Sequence, residues 1–203
     1  MPPRGRLPPL PKYDDEPVWP NNRDDVAIRA VNAAWDALYK IDLDDISFKT
    51  LAKSMGITTA ALYYHYPTLT HLGAELACRG CATLHSTLTL GTSREIPRPK
   101  PLKEFVNQYL EFAGKRKRHF ALMFSPRFGD AQIFPGVLSC QLQLGQATLD
   151  LMEAELGSKP SVEDLHVFWG IIHGSATLIA ANHVPQPRLL LRACEAYLDG
   201  LRK

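Results

Sequence analysis

An all-α fold is what this sequence predicts, and three observations carry the expectation. Apolar residues recur at spacings of three and four, the period of a helix face, and no stretch makes a convincing strand. Between Ser47 and Tyr66 two short helical stretches meet at a glycine. Prolines gather where the helical pattern stops: seven of the sixteen fall in residues 1–22, and three more in the break from Gly91 to Pro101.

Taken in order, residues 1–22 are too rich in proline for regular structure and read as an extended arm. Its Arg4, Arg6 and Lys12 are balanced by Asp14, Asp15 and Glu16. A basic arm can enter a minor groove, but this composition suits a solvated tail better. Helix 1 should cover 23–39. Ala27, Ala30, Val31, Ala34, Trp35 and Leu38 form one apolar face, and Asp24 and Asp25 suit the positive end of the dipole. Trp35 reads as a core anchor. The loop 40–46 leads to Ser47, whose hydroxyl can cap a helix bearing Leu51, Ala52 and Met55 on one face. Gly56 can take the left-handed conformation at the turn. Ile57 plugs the corner, and Thr58 caps a second helix whose inward residue is Leu62. A helix-turn-helix has this form, and its second helix enters the DNA major groove.

Pro67 should end that helix, because it donates no amide and restrains the residue before it. Helices are then expected at 68–90, 102–115, 120–124, 136–156, 162–182 and 188–202. The basic run 115–118 reads as a solvated connector and 125–135 as a loop.

The run Ile46-Ser47, Leu51-Ala52, Gly56-Ile57-Thr58 and Leu62-Tyr63-x-His65-Tyr66-Pro67 resembles the DNA-binding domain of the tetracycline-repressor (TetR) family of bacterial regulators. The match spans about Arg23 to Leu76. Trp169-Gly170-Ile171-Ile172-His173-Gly174 and Ala121-Leu122-Met123-Phe124-Ser125-Pro126-Arg127 are similar, more loosely, to one class of effector domain in that family. The resemblance implies an arm (1–22), a three-helix DNA-binding domain (23–72) and a helical effector-binding and dimerisation domain (73–203). It implies a ligand-responsive transcriptional regulator, most simply a repressor. That protein binds a near-palindromic double-stranded operator as a homodimer and is released by a small apolar effector. Thr58, Thr59, Ala61 and Tyr64 would face bases, while Ser47, Lys49, Tyr63 and His65 would hold phosphates. Hydroxyls serve base edges as donor or acceptor, and Ala or Thr methyls meet the thymine methyl. Dimerisation would run through the last two helices, where Gly170, Gly174 and Ala181 allow close backbone approach. Phe105, Tyr109, Phe112, Met123, Met152, Trp169 and His173 are the apolar-pocket candidates, although apolar stripes more often mark core.

The chain departs from the family just after Pro67. Leu69 stands where a phosphate-gripping lysine is usual, and Thr70 where its acidic neighbour is usual. The module 23–72 also carries five basic against six acidic residues, a net charge of −1. Those two features support an alternative of another class, a TetR-like partner for other proteins with weak or no DNA binding.

A net charge of +2 on 203 residues gives no general field for nucleic acid, so DNA affinity has to come from local arrangement. The N-terminus lacks the layout of a signal peptide, and the most apolar window, Val167 to Ala181, is short of the ~20 residues that span a bilayer. With four cysteines, too sparse for a disulfide scaffold, the expected setting is a reducing cytoplasm, with no membrane contact. Cys78, Cys81 and His85 share a helix face and have the donor types of a soft-metal or oxidant site, yet free cysteines commonly pack as small hydrophobes. No metal or other cofactor is expected. Nucleophile-elbow, zinc-protease and phosphate-loop patterns do not occur, so the chain is not expected to be an enzyme.

Overall fold

The computed structural model of the chain describes residues 26–90, 101–183 and 187–202, and among these every regular element is helical. The proline-rich arm, Asp24 and Asp25 lie outside the described residues. The order is α1 (Val26–Ala37), α2 (Phe48–Met55), α3 (Thr59–His65), α4 (Leu69–Leu90), α5 (Pro101–Lys115), α6 (Lys117–Met123), α7 (Pro135–Leu156), α8 (Val162–Ala180) and α9 (Pro187–Leu201). Single 3-10 turns occupy Leu43–Asp45 and Pro126–Phe128, inside stretches that read as loops.

The expected basic connector is not one. The Arg116 amide donates to the Phe112 carbonyl, and the Arg116 carbonyl accepts from the Phe120 amide, each at 2.8 Å. One residue therefore separates α5 from α6, and Lys117 and Arg118 are helical. Both are good helix formers, so nothing in the run forces the ladder open.

The described residues divide into two compact units. The first takes 26–83 and 122–143, the second 84–90, 101–121, 144–183 and 187–202. In the first, the α1 face Ala30, Val31, Ala34, Trp35 and Leu38 packs with Phe48, Leu51 and Ala52 of α2, Leu62 of α3, and Leu72, Leu76 and Ala77 of α4. Leu122, Phe128 and Val137 complete that core from far along the chain. Arg127 closes a bidentate pair on Asp44, both bonds 2.9 Å. Arg79 of α4 spans Trp35, 4.7 Å above the ring, and donates to Asn32 Oδ1 at 2.8 Å. The α4 backbone approaches its neighbours closely, because a Cβ on Gly80 would lie 2.5 Å from Met123 Cγ.

In the second unit α5 packs against α8 and α9. Tyr109 is its centre. Fully buried, it stacks on Phe105 and meets Phe120 and Trp169 edge-on at 5.6 and 5.5 Å. Its hydroxyl lies 2.9 Å from His173 Nδ1, so a buried phenol keeps a polar partner.

Two outcomes follow. Gly80→Ala should destabilise the chain by about 1–2 kcal/mol in urea unfolding, overpacking against Met123 outweighing the helix propensity of Ala, and the same substitution should cost less when made in a Met123→Ala background. Burial holds the His173 pKa below its usual value of 6.5. The unfolded chain then binds the extra proton first, so stability is full above pH ~6.5 and is lost as pH falls through the folded pKa. Unfolding free energy measured between pH 7.5 and 5 should fall less in His173→Phe than in the parent.

Candidate nucleic-acid interface

The second helix of the motif is set in place by local chemistry at each end. Ser47 caps α2 through a reciprocal box: its hydroxyl accepts from the Thr50 amide at 3.1 Å, and its amide donates to Thr50 Oγ1 at 3.2 Å. At the other end Gly56 is left-handed (φ 68°, ψ 33°), and the Ile57 amide reaches back to the Ala52 carbonyl at 3.0 Å. Arg29 of α1 donates to the Met55 carbonyl, which ties the same helix end to α1. Thr58 then caps α3, its oxygen accepting from the Ala61 amide at 3.3 Å. The Tyr66 amide closes α3 on the Leu62 carbonyl, while its hydroxyl donates to the Ala27 carbonyl of α1 at 3.4 Å.

Between those ends Leu62 is fully buried, and the opposite side of α3 is open. Thr58, Thr59, Ala60, Tyr63, Tyr64 and His65 are exposed, Tyr64 to 86%, and Ala61 is half-buried on the flank. The Tyr63 ring leans edge-on against buried Phe48, with centroids 4.9 Å apart, and the Tyr64 ring meets His65 in the same manner at 5.1 Å. Ser47 and Lys49, at the start of α2, are exposed as well. Ala60, which is not among the residues the resemblance implies, lies on the outer face. One hundred degrees per residue from Leu62 puts positions 60 and 64 opposite the core, so the signal was in the spacing.

The face carries hydroxyls, phenols, methyls and an imidazole, with Lys49 beside it and no carboxylate on α3. An oxygen that accepts from a helix amide still has an O–H to donate, which leaves the Thr58 hydroxyl a proton for a partner, whereas the Ser47 hydroxyl also lies 3.1 Å from Thr50 Oγ1. Asp44, one of the acids behind the unfavourable charge tally, is bound by Arg127, which holds its carboxyl below the usual carboxylate range. Leu69 is partly buried against the first core. Packing is the use this chain makes of the position where the resemblance implies a lysine.

The second set of candidates is partly gathered. Phe105, Tyr109, Trp169 and His173 meet around the Tyr109 ring, as described above. Phe112 and Met152 are buried in the same unit, whereas Met123 belongs to the first, against Gly80. A cleft of about 250 Å³ in the second unit is lined by other residues, among them Leu102, Val106, Leu191, Cys194 and Leu198. Ion pairs Lys103–Glu195 (3.3 Å) and Arg202–Glu155 (2.8 Å) flank it. Among the described residues no group of three or more His, Cys, Asp and Glu side chains is placed to hold a metal ion. None of the helices searched there is long and apolar enough to cross a membrane.

No family model and no curated protein matches the chain. Solved structures do. The chain is similar to a TetR-like transcriptional regulator from Rhodococcus sp. RHA1, with a TM-score of 0.61 and 19% identity over 85% of this chain and 93% of that one. A TetR-family transcriptional regulator from Streptomyces coelicolor gives 0.62 and 15% over 87% and 81%. A protein of unknown function from Rhodococcus sp. RHA1 gives 0.71 and 20% over 91% and 99%. The helix-turn-helix at the start of the described chain and the helical second part together are the all-α fold of TetR-type regulators.

Proposed function

We propose that this chain is a ligand-responsive transcriptional regulator, acting as a repressor that binds a near-palindromic operator as a homodimer and leaves it when a small apolar effector binds. One observation carries the reading. The helix between Thr58 and Tyr66 buries a single residue completely, Leu62, and turns Thr59, Ala60, Tyr63 and Tyr64 outward. A helix held by its back in this way can enter a major groove, where Thr58, Thr59, Ala61 and Tyr64 read base edges. Ser47, Lys49, Tyr63 and His65 grip phosphates. The fold shared with TetR-type regulators supports the same reading, and such a protein works in the cytoplasm.

The homodimer draws support from α8. A helix rich in apolar residues on all sides is usually buried all round. Here Phe168, Ile172 and Ala176 are buried, while Val162, Val167 and Leu178 are 56%, 49% and 43% exposed in the single chain. Nothing lies within 4 Å of a Cβ added at Gly170 or Gly174, so another helix can approach that side closely. A symmetric pair would set its two reading helices about one DNA turn apart, ~34 Å. For the effector, the Tyr109–His173 pair amid Phe105 and Trp169 offers apolar walls with a polar handle. A ligand with unequal affinity for the DNA-competent and incompetent arrangements suffices for release.

The test is a selection of genomic fragments retained by the purified chain, followed by salt titration of the recovered duplexes. Retention should be sequence-selective and weaken steeply with salt. Tyr64→Ala should lower affinity for the selected duplex by about 5- to 150-fold without changing the unfolding midpoint, since the ring is largely exposed. Capture of no selective fragment, together with stable capture of another protein, would replace this reading with the protein-partner alternative.

A further inference from the structure

Cys140 gives no local hint of its partner, yet the fold brings it to the pair that the sequence singled out. It lies in α7 one turn after Gly136, and a Cβ on Gly136 would sit 3.6 Å from Cys78 Sγ of α4. Val137, on the same stretch of α7, is buried in the core that holds Leu76 and Ala77 of α4. The thiols of Cys78 and Cys140 are close enough for each to shift the titration of the other. All of these residues belong to the first unit, so a link between the two sulfurs would join segments that are already packed.

We propose that Cys78 and Cys140 are an oxidisable thiol pair, converted by a peroxide into a disulfide that staples α4 to α7. The Cys78 thiol beside it holds the Cys140 thiol below its usual range, while the same pairing, with burial, pushes Cys78 up. Cys140 is therefore the nucleophile. Its thiolate attacks one peroxide oxygen, the O–O bond breaks, and water leaves once the departing hydroxide takes a proton, giving a sulfenic acid. The Cys78 sulfur then attacks the sulfenic sulfur. An S–S bond forms, the S–O bond breaks, and the Cys78 proton leaves with the hydroxyl as a second water. The two thiols lose two electrons, and the peroxide gains them.

The other cysteines are poorer choices. Cys81 is 1% exposed and burial pushes its thiol up, whereas Cys78 is half-buried and Cys140 is 7% exposed. Cys194 belongs to the second unit, its thiol pushed up to about 11 by burial. A bond of about 2.05 Å between the two sulfurs would join stretches of α4 and α7 that already share the first core.

The experiment is independent of DNA binding. Reduced full-length chain is treated with hydrogen peroxide, quenched by alkylation, digested and mapped by mass spectrometry. The expected product lacks two alkylatable thiols, is lighter by two hydrogens, contains a peptide joining Cys78 to Cys140, and reverts with dithiothreitol. Cys81→Ala and Cys194→Ala should give the same linked peptide, and Cys140→Ala should give none. Persistence of both thiols would overturn the proposal. So would a link through Cys81, Cys194 or a second chain, or oxidation of either sulfur past the sulfenic stage with no cross-link. Should Cys140→Ala fail to fold, the wild-type map decides alone.

Discussion

Burial of Leu62 against α1 and α2 is the contact on which the reading face depends. A seven-residue helix is too short to be stable alone in water, so α3 exists because its neighbours hold it. They do so at three places: Thr58 caps the start, Leu62 anchors the middle, and Tyr66 reaches Ala27 from the end. All three use the inner side or the termini. The outer side carries Thr59, Ala60, Tyr63, Tyr64 and His65, none of which is among the buried residues of the core. Structure and candidate function thus rest on one division of labour around about two turns of helix.

The same logic explains why α2 is built as it is. Its own ends are closed by Ser47 with Thr50 and by the left-handed Gly56, and Arg29 reaches across from α1 to its last carbonyl. Those bonds fix the corner angle, which decides where α3 points. Arg29 is spent on this corner, so a basic residue that a charge tally would credit to phosphate binding has a structural task. Asp44 is the counterpart on the acidic side, because its charge is met by Arg127.

What the sequence made legible was local. The α1 stripe, the capped turn, the stop at Pro67 and the later helices follow from spacing and from residues with special backbone preferences, and the structure has them within a few residues. What stayed hidden was distant. Nothing in the pattern of 122–143 says that Leu122, Phe128 and Val137 join the core of α1 and α2, that Arg127 meets Asp44, or that Cys140 meets Cys78. Such contacts leave no period in the chain. Met123 shows the cost: its residue type groups it with Tyr109 and Trp169, yet it packs on Gly80 in the other unit. Leu69 is the converse case, a departure from a family pattern whose reason is visible only in its partly buried environment.

The most direct measurement of the central claim is amide hydrogen exchange of the full chain, free and bound to a selectively retained duplex. The account predicts that protection on binding concentrates in α3 (Thr59–His65) and at the start of α2 near Ser47 and Lys49, with the reverse side of α1 unchanged. Protection that leaves α3 untouched, or that falls on another helix face while the duplex stays bound, would contradict it.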